Sequence, residues 1–328
     1  MDKLYPLKFK PVVKDKIWGG NSLSAFYNKR QNALPNIGES WEISAVEGNL
    51  SVVANGFLAG NNIEEIIEVY MGDITGDAIY EKFGVEFPLL VKFIEARENL
   101  SVQVHPGNEM AKKRHSAYGK TEMWYIVEHA PDARIYSGFK EGVSKEVYSE
   151  AVKNGSVTGL LNVEDAAKGD VFFIPAGRIH AIGAGTVLVE IQQTSDITYR
   201  ISDWDRAGKR ELHTALALDA LDFSETSARK KINATPAMNV FSNLVDCDFF
   251  TVNLLKFDGK VSKNYYFNDS FVIYICIDGE LTVSANRSSE RMIKGDTLLL
   301  PAALKEAVLE PSAGAQILEV YVNSESSI

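Results

Sequence analysis

His180 closes the run Gly169-x5-Pro175-x-Gly177-x2-His180, and three more side chains with free lone pairs, Gln103, His105 and Glu122, stand upstream of it. Together the four can make one metal site. Imidazole and carboxylate suit a borderline divalent cation such as zinc, and an amide oxygen adds a neutral ligand without overcharging the site. A histidine alone is more often structural than ligating. Here Gly169 and Pro175 fix the backbone where Lys168-Gly169-Asp170 enters the apolar run Val171 to Ile174, and Gly177 lets the chain turn again so that His180 points inward.

Positioning these groups falls to short strands, read from period-two alternation or continuous apolar runs at Leu50 to Val53, Leu89 to Ile94, Leu100 to His105, Glu122 to Val127, Val171 to Ile174, Thr186 to Gln192 and Phe271 to Ile277. Glycines at 38, 56, 138, 183, 185 and 279 punctuate them. Helices are expected at Asn62 to Gly72, with an asparagine cap, at Ser144 to Lys153, and at Glu211 to Leu221. A mainly β fold with short helical insertions follows.

An internal repeat refines this. Lys168-Gly169-Asp170-x4-Pro175-Ala176 recurs as Lys294-Gly295-Asp296-x4-Pro301-Ala302, 126 residues later. In the second copy Ala303 stands for Gly177 and Glu306 for His180, and no histidine follows His213. The second unit is therefore expected to be metal-free. Two β-barrel or jelly-roll units are expected, residues 1–235 carrying the site and 236–328 lacking it, with the boundary in the polar stretch Glu225 to Asn239.

Composition bounds the partners. A formal net charge of −10 argues against nucleic acid, whose phosphates need a basic surface, so an anionic substrate requires a local cluster of Lys and Arg. The charged start MDKLYPLKFKPVVKDK does not read as a signal peptide, and no stretch approaches the roughly 18 apolar residues of a membrane span. A cytoplasmic protein is expected. Its two cysteines, Cys247 and Cys276, do not suggest a disulfide framework. His115, His129 and His213 lack ligand spacing and read as surface or structural groups.

At this point the residues carry a resemblance. The His180 motif is similar to the second signature of cupin barrels, with Gln103-x-His105 where many cupins have two histidines. GESWEIS (Gly38 to Ser44), FPLLVKFIEA (Phe87 to Ala96), LSVQVHP (Leu100 to Pro106), GKTEMWY (Gly119 to Tyr125), PAGRIHAIG (Pro175 to Gly183) and EIQQTSDITYRISDWDR (Glu190 to Arg206) resemble, in order, the type I mannose-6-phosphate isomerases. That likeness implies two cupin barrels and a metal-dependent enzyme, usually with zinc, that interconverts mannose 6-phosphate and fructose 6-phosphate. It also implies that Gln103, His105, Glu122 and His180 are the metal ligands and Arg200 the catalytic arginine. Ser101, Lys92 and Lys120 would line the substrate site, and Arg206 falls where some relatives have a phosphate-facing lysine.

The chemistry asks for more. Moving a proton between adjacent carbons through an enediol needs a carrier, and Glu190 is the first candidate, because burial between Val189 and Ile191 would raise its pKa. Metal-bound water or a sugar hydroxyl would serve instead. Trp18 is expected either to floor the sugar pocket or to pack in the core. A noncatalytic sugar-phosphate sensor and a different cupin metalloenzyme, such as an iron-dependent oxygenase, stand as alternatives. Manganese, cobalt or iron would also suit the ligand set, and the sequence does not set the oligomeric state.

Overall fold

The computed structural model describes residues 4–27, 29, 34–206, 210–224, 231–233 and 236–323. They form antiparallel sheets of seven, five and nine strands, so the fold is mainly β as expected. Among these residues no helix is long and apolar enough to cross a membrane. Of the expected boundary segment, Glu225 and Lys230 lie outside the described residues, as do 234 and 235.

The first barrel is built from two sheets. One runs in the order Lys231–Asn233, Asp170–Ile174, Glu122–His129, Thr186–Gln193, Leu89–Ala96, Ile37–Ile43, Val12–Gly20. The other runs Tyr199–Ser202, Val102–Val104, His180–Ile182, Arg134–Phe139, Leu161–Asp165. Ile94, Trp124, Ile126, Phe172 and Leu188 of the first sheet pack with Ile135 and Ile182 of the second, which places a core between them.

Every residue of Leu89–Ala96 and Thr186–Gln193 is buried, and alternation divides each strand between two environments. Val91, Phe93, Met123, Tyr125, Val189 and Ile191 point away from the first barrel into a core shared with Ile273, Ile275, Leu318 and Val320. Lys92, Glu122, Trp124 and Glu190, one residue out of phase, take the opposite face. A sheet buried on both sides thus spends one face on cohesion and reserves the other for polar groups.

The nine-stranded sheet makes the second unit. The expected strand Phe271 to Ile277 is longer than its apolar run, extending as Val272–Ala285. The sheet also takes in Leu7–Lys10 from the start of the chain, which pairs with Thr297–Leu300. The repeated glycines take the same left-handed conformation, with φ of 89° at Gly169 and 94° at Gly295. Beyond Pro301 the copies diverge. The backbone N–H groups of Ala302 and Ala303 donate to the carbonyls of Ile74 (3.0 Å) and Asp73 (2.9 Å), so the short helix Gly72–Thr75 covers the turn that would present a ligand.

Helix boundaries follow their caps. Asn62 closes a capping box with Glu65 ahead of Ile63–Tyr70, and Ser144 caps Lys145–Lys153. The third expected helix begins only at Thr214, because residues 211–213 are engaged by Arg200. Helix Asp77–Phe83 is capped from a distance, the Asp269 carboxylate accepting from Asp77 N and Ala78 N at 3.0 Å each. Asp269→Ala should lower the free energy of urea unfolding by about 1 kcal/mol, the usual worth of such a cap.

Candidate metal centre and cleft

Sheet register brings the candidate groups into two facing rows. In the five-stranded sheet Arg200, Gln103 and His180 are direct cross-strand partners. In the seven-stranded sheet Lys92, Glu190 and Trp124 are partners, with Gln192 beside Glu122 in the next register. Directly opposed residues share a face, so strand pairing alone aligns groups that are far apart in sequence. His105 follows the strand Val102–Val104, and its carbonyl accepts from Gly177 N at 2.9 Å. Gly177 holds φ at 88°, a conformation that disfavours side chains, which explains the glycine three residues before His180.

His105, Glu122 and His180 converge where the rows meet. The three residues are at most 1% exposed, and their ligand atoms all lie within 4.8 Å of one another. His180 Nε2 is 3.4 Å from Glu122 Oε1, and His105 Nε2 is 3.7 Å from Glu122 Oε2. Ligands about 2.1 Å from a tetrahedral ion stand roughly 3.4 Å apart, so these separations fit one shared cation.

The tautomers fit as well. His105 Nδ1 lies 2.8 Å from the Ile197 carbonyl and His180 Nδ1 2.9 Å from the Arg178 carbonyl. A carbonyl only accepts, so each Nδ1 carries the hydrogen and each Nε2 turns its lone pair inward. Burial pushes both imidazoles down, His180 to about 3, with the Lys120 charge adding to the effect, so both are neutral at pH 7. Glu122 Oε1 is buried without a hydrogen-bond partner. Burial and the Glu190 charge raise the Glu122 pKa in the absence of a cation. An orphaned carboxylate oxygen between two inward lone pairs is what a divalent ion would satisfy.

Gln103 is adjacent but turned the other way. Its amide nitrogen, rather than the oxygen a metal would take, lies 3.2 Å from His180 Nε2, while its oxygen accepts from Ser101 Oγ at 3.3 Å. Ligation by Gln103 therefore requires the amide to rotate.

A cleft of about 460 Å³ opens beside the triad, lined by Trp18, Lys92, Ser101, Gln103, Lys120, Glu190 and Arg200. Trp18 lines the cleft and belongs to the barrel core at 3% exposure. Lys120 Nζ donates to Glu122 Oε2 and lies 3.3 Å from His105 Nε2. Lys92 Nζ donates to Glu190 Oε1 and to Gln192 Oε1 at 2.8 Å each.

Two expectations need correction. Burial does push the Glu190 carboxyl up, but Lys120, Lys92 and the Trp124 indole N–H at 2.9 Å outweigh it and hold the pKa well below the usual carboxylate range. A carboxylate so stabilised is a poor proton acceptor at neutral pH. Arg206 does not reach the cleft. Its guanidinium is bound to Asp203 at 2.8 Å and to the Asn99 carbonyl, and it lines a separate depression with Trp204 and Leu212.

Sequence reasoning missed several cleft residues. Lys14 and Lys16 line it together with Trp18, as alternate residues on one face of Val12–Gly20. That period-two pattern was the available signal. Trp41 joins them, with the Lys14 and Lys92 ammonium groups 4.9 and 5.1 Å from its ring centre. Arg210, gripped by Asp203, supplies a cation on the Arg200 side.

The buried imidazoles have a measurable cost in acid. His180 binds its proton near pH 3 folded but near 6.5 unfolded, so below pH 6.5 protons favour the unfolded chain. In chelator-treated protein, His180 alone should remove about 2 kcal/mol of stability between pH 7 and pH 5. Urea unfolding at the two pH values should show a smaller difference, by that amount, in His180→Gln.

Comparison with known proteins agrees with this arrangement. Residues 6–138 match the catalytic domain of type I phosphomannose isomerase, and residues 241–320 match the cupin domain of mannose-6-phosphate isomerase. The chain is 34% identical over 316 residues to a mannose-6-phosphate isomerase of Bacillus subtilis, covering 93% of this chain and 96% of that protein. It is 35% identical over 311 residues to the mannose-6-phosphate isomerase of Streptococcus mutans, covering 92% and 93%. The crystal structure of a mannose 6-phosphate isomerase from Bacillus subtilis superposes with a TM-score of 0.83 at 27% identity, covering 97% of this chain and 99% of that one. A phosphomannose isomerase variant from Salmonella typhimurium, at 16% identity and a TM-score of 0.78 over 97% and 99% of the chains, shares the fold. With two curated relatives matched over nearly their whole length, the chain belongs to the type I mannose-6-phosphate isomerase family.

Proposed function

We propose that the chain is a metal-dependent isomerase interconverting mannose 6-phosphate and fructose 6-phosphate, with the metal held by His105, Glu122, His180 and a rotated Gln103. The observation that carries this reading is the Glu122 carboxylate set against two inward-facing imidazole lone pairs, one of its oxygens without a hydrogen-bond partner among the described residues, beside a cleft lined with cations. Zinc suits two imidazoles and a carboxylate, does no redox chemistry, and when bound would act as a Lewis acid on the sugar oxygens.

The chain's own groups have separable parts. Lys92 and Lys120 present ammonium groups to the cleft and stabilise the negative charge that develops on an enediol. Glu190 holds both in place, lying 2.8 Å from one and 3.8 Å from the other, rather than carrying the proton. Arg200 faces the same cleft. Burial and the neighbouring Arg210 charge lower its pKa, and the guanidinium stays protonated at neutral pH. In this reading a phosphate is anchored by the outer cations of the cleft, Arg200 and Arg210 on one wall and Lys14 and Lys16 on the other. Ser101 adds a hydroxyl.

The test is turnover. Protein stripped with chelator should convert no fructose 6-phosphate, and reloading with zinc, manganese, cobalt or iron in turn should restore product and identify the competent ion. Sugar-phosphate binding without turnover in every metal would make the chain a sensor instead.

A further inference from the structure

Arg200 lies on Tyr199–Ser202, an edge strand whose only sheet neighbour among the described residues is Val102–Val104. An edge strand leaves backbone groups open on its outer side and frays without a partner. Here the partner is not a strand. The His213 N–H donates to the Arg200 carbonyl at 2.7 Å, and the Arg200 N–H donates to His213 Nδ1 at 3.1 Å. One residue thus closes both backbone groups of Arg200, its imidazole taking the place of a strand carbonyl. A third bond reaches the side chain, Arg200 Nη1 donating to the Glu211 carbonyl at 2.8 Å. Arg200 Nε is buried without a partner among the described residues, in a residue that lines the cleft.

The same segment continues to the metal turn. The His213 carbonyl accepts from Ala217 N at 2.8 Å to start helix Thr214–Ala220, and beyond that helix Asp222 N donates to the Gly177 carbonyl at 3.0 Å. Residues 211–222 form a strap with Arg200 clamped at one end and the His180 turn at the other.

We infer that His213 is a positioning residue for Arg200, fixing the guanidinium relative to the metal turn through its Nδ1 acceptor. This rests on the catalytic reading of Arg200. The reading of His213 as a bland surface or structural group is thereby replaced by a specific geometric role. The chemistry distinguishes its variants, since an asparagine Oδ1 sits where Nδ1 does, whereas a glutamine Oε1 reaches to the position of Nε2.

The test compares zinc-loaded full-length variants for kcat, KM and metal content. His213→Asn should keep kcat within about threefold of wild type, while His213→Gln should lose about tenfold or more in kcat with metal content unchanged. In an Arg200→Ala background His213→Gln should cost nothing further, because the residue it positions is gone. The inference is overturned by equal kcat in the Asn and Gln variants, or by a Gln penalty that persists undiminished without Arg200. Full turnover in Arg200→Ala itself would overturn the catalytic reading of the arginine, and the inference with it. A fully active wild-type background with an inactive Arg200→Ala separates the two failures.

Discussion

Glu122→Gln should leave the purified protein with little metal and lower kcat/KM by more than about a hundredfold, a larger loss than the 10- to 100-fold typical of groups behind the ligands. The residue is fully buried, its two oxygens face the two imidazoles, and it is the only carboxylate of the triad. Glutamine keeps the shape while removing the charge and placing an N–H₂ among ligand atoms. Excess metal should restore part of the activity by mass action. Metal analysis after gel filtration, set beside the melting temperature of chelator-treated wild type, separates loss of the ion from loss of the fold. Full metal content in this variant would show that the triad is not the metal centre.

Arg200→Ala should behave differently, lowering kcat by about 10² to 10³ with metal content intact. Its guanidinium bonds to the Glu211 carbonyl and not to a triad side chain, so removing it leaves the ligands in place. Arg200→Lys should recover little, since a lysine cannot reproduce the planar fork. If Arg200→Ala instead loses metal, the arginine holds the centre together and its role in turnover has been misassigned.

How much could be read in advance depended on whether the information was local. The His180 turn was legible because a left-handed residue must be paid for in sequence, and Gly169, Gly177 and Gly295 mark those positions directly. The distinction between the barrels was also local, since the repeated turn ends on Glu306 where its counterpart has a histidine. What closes the second turn was not local, because the covering helix Gly72–Thr75 precedes it by more than two hundred residues.

The errors share a cause. Glu190 was expected to hold a raised pKa from its apolar chain neighbours, but in a strand those neighbours face the other way. Its real surroundings are Lys92 and Trp124 on adjacent strands, which only the register discloses. Arg206 and Arg210 are four residues apart in sequence, and Asp203 binds both, so only their placement in the structure separates them. The late start of the helix at Thr214 has the same origin as the role inferred for His213. Residues that local propensity would wind into a helix are held out of it by bonds to Arg200.

The central claim is that a metal held by His105, Glu122 and His180 enables enediol chemistry on a sugar phosphate in the adjoining cleft. Incubation of metal-loaded protein with fructose 6-phosphate in deuterated water tests it most directly, with the product read by NMR. The expected product is mannose 6-phosphate carrying deuterium at carbon 2 in at least part of the molecules, with no product after chelation. Absence of mannose 6-phosphate from fully loaded protein, or product without any solvent label, would contradict it.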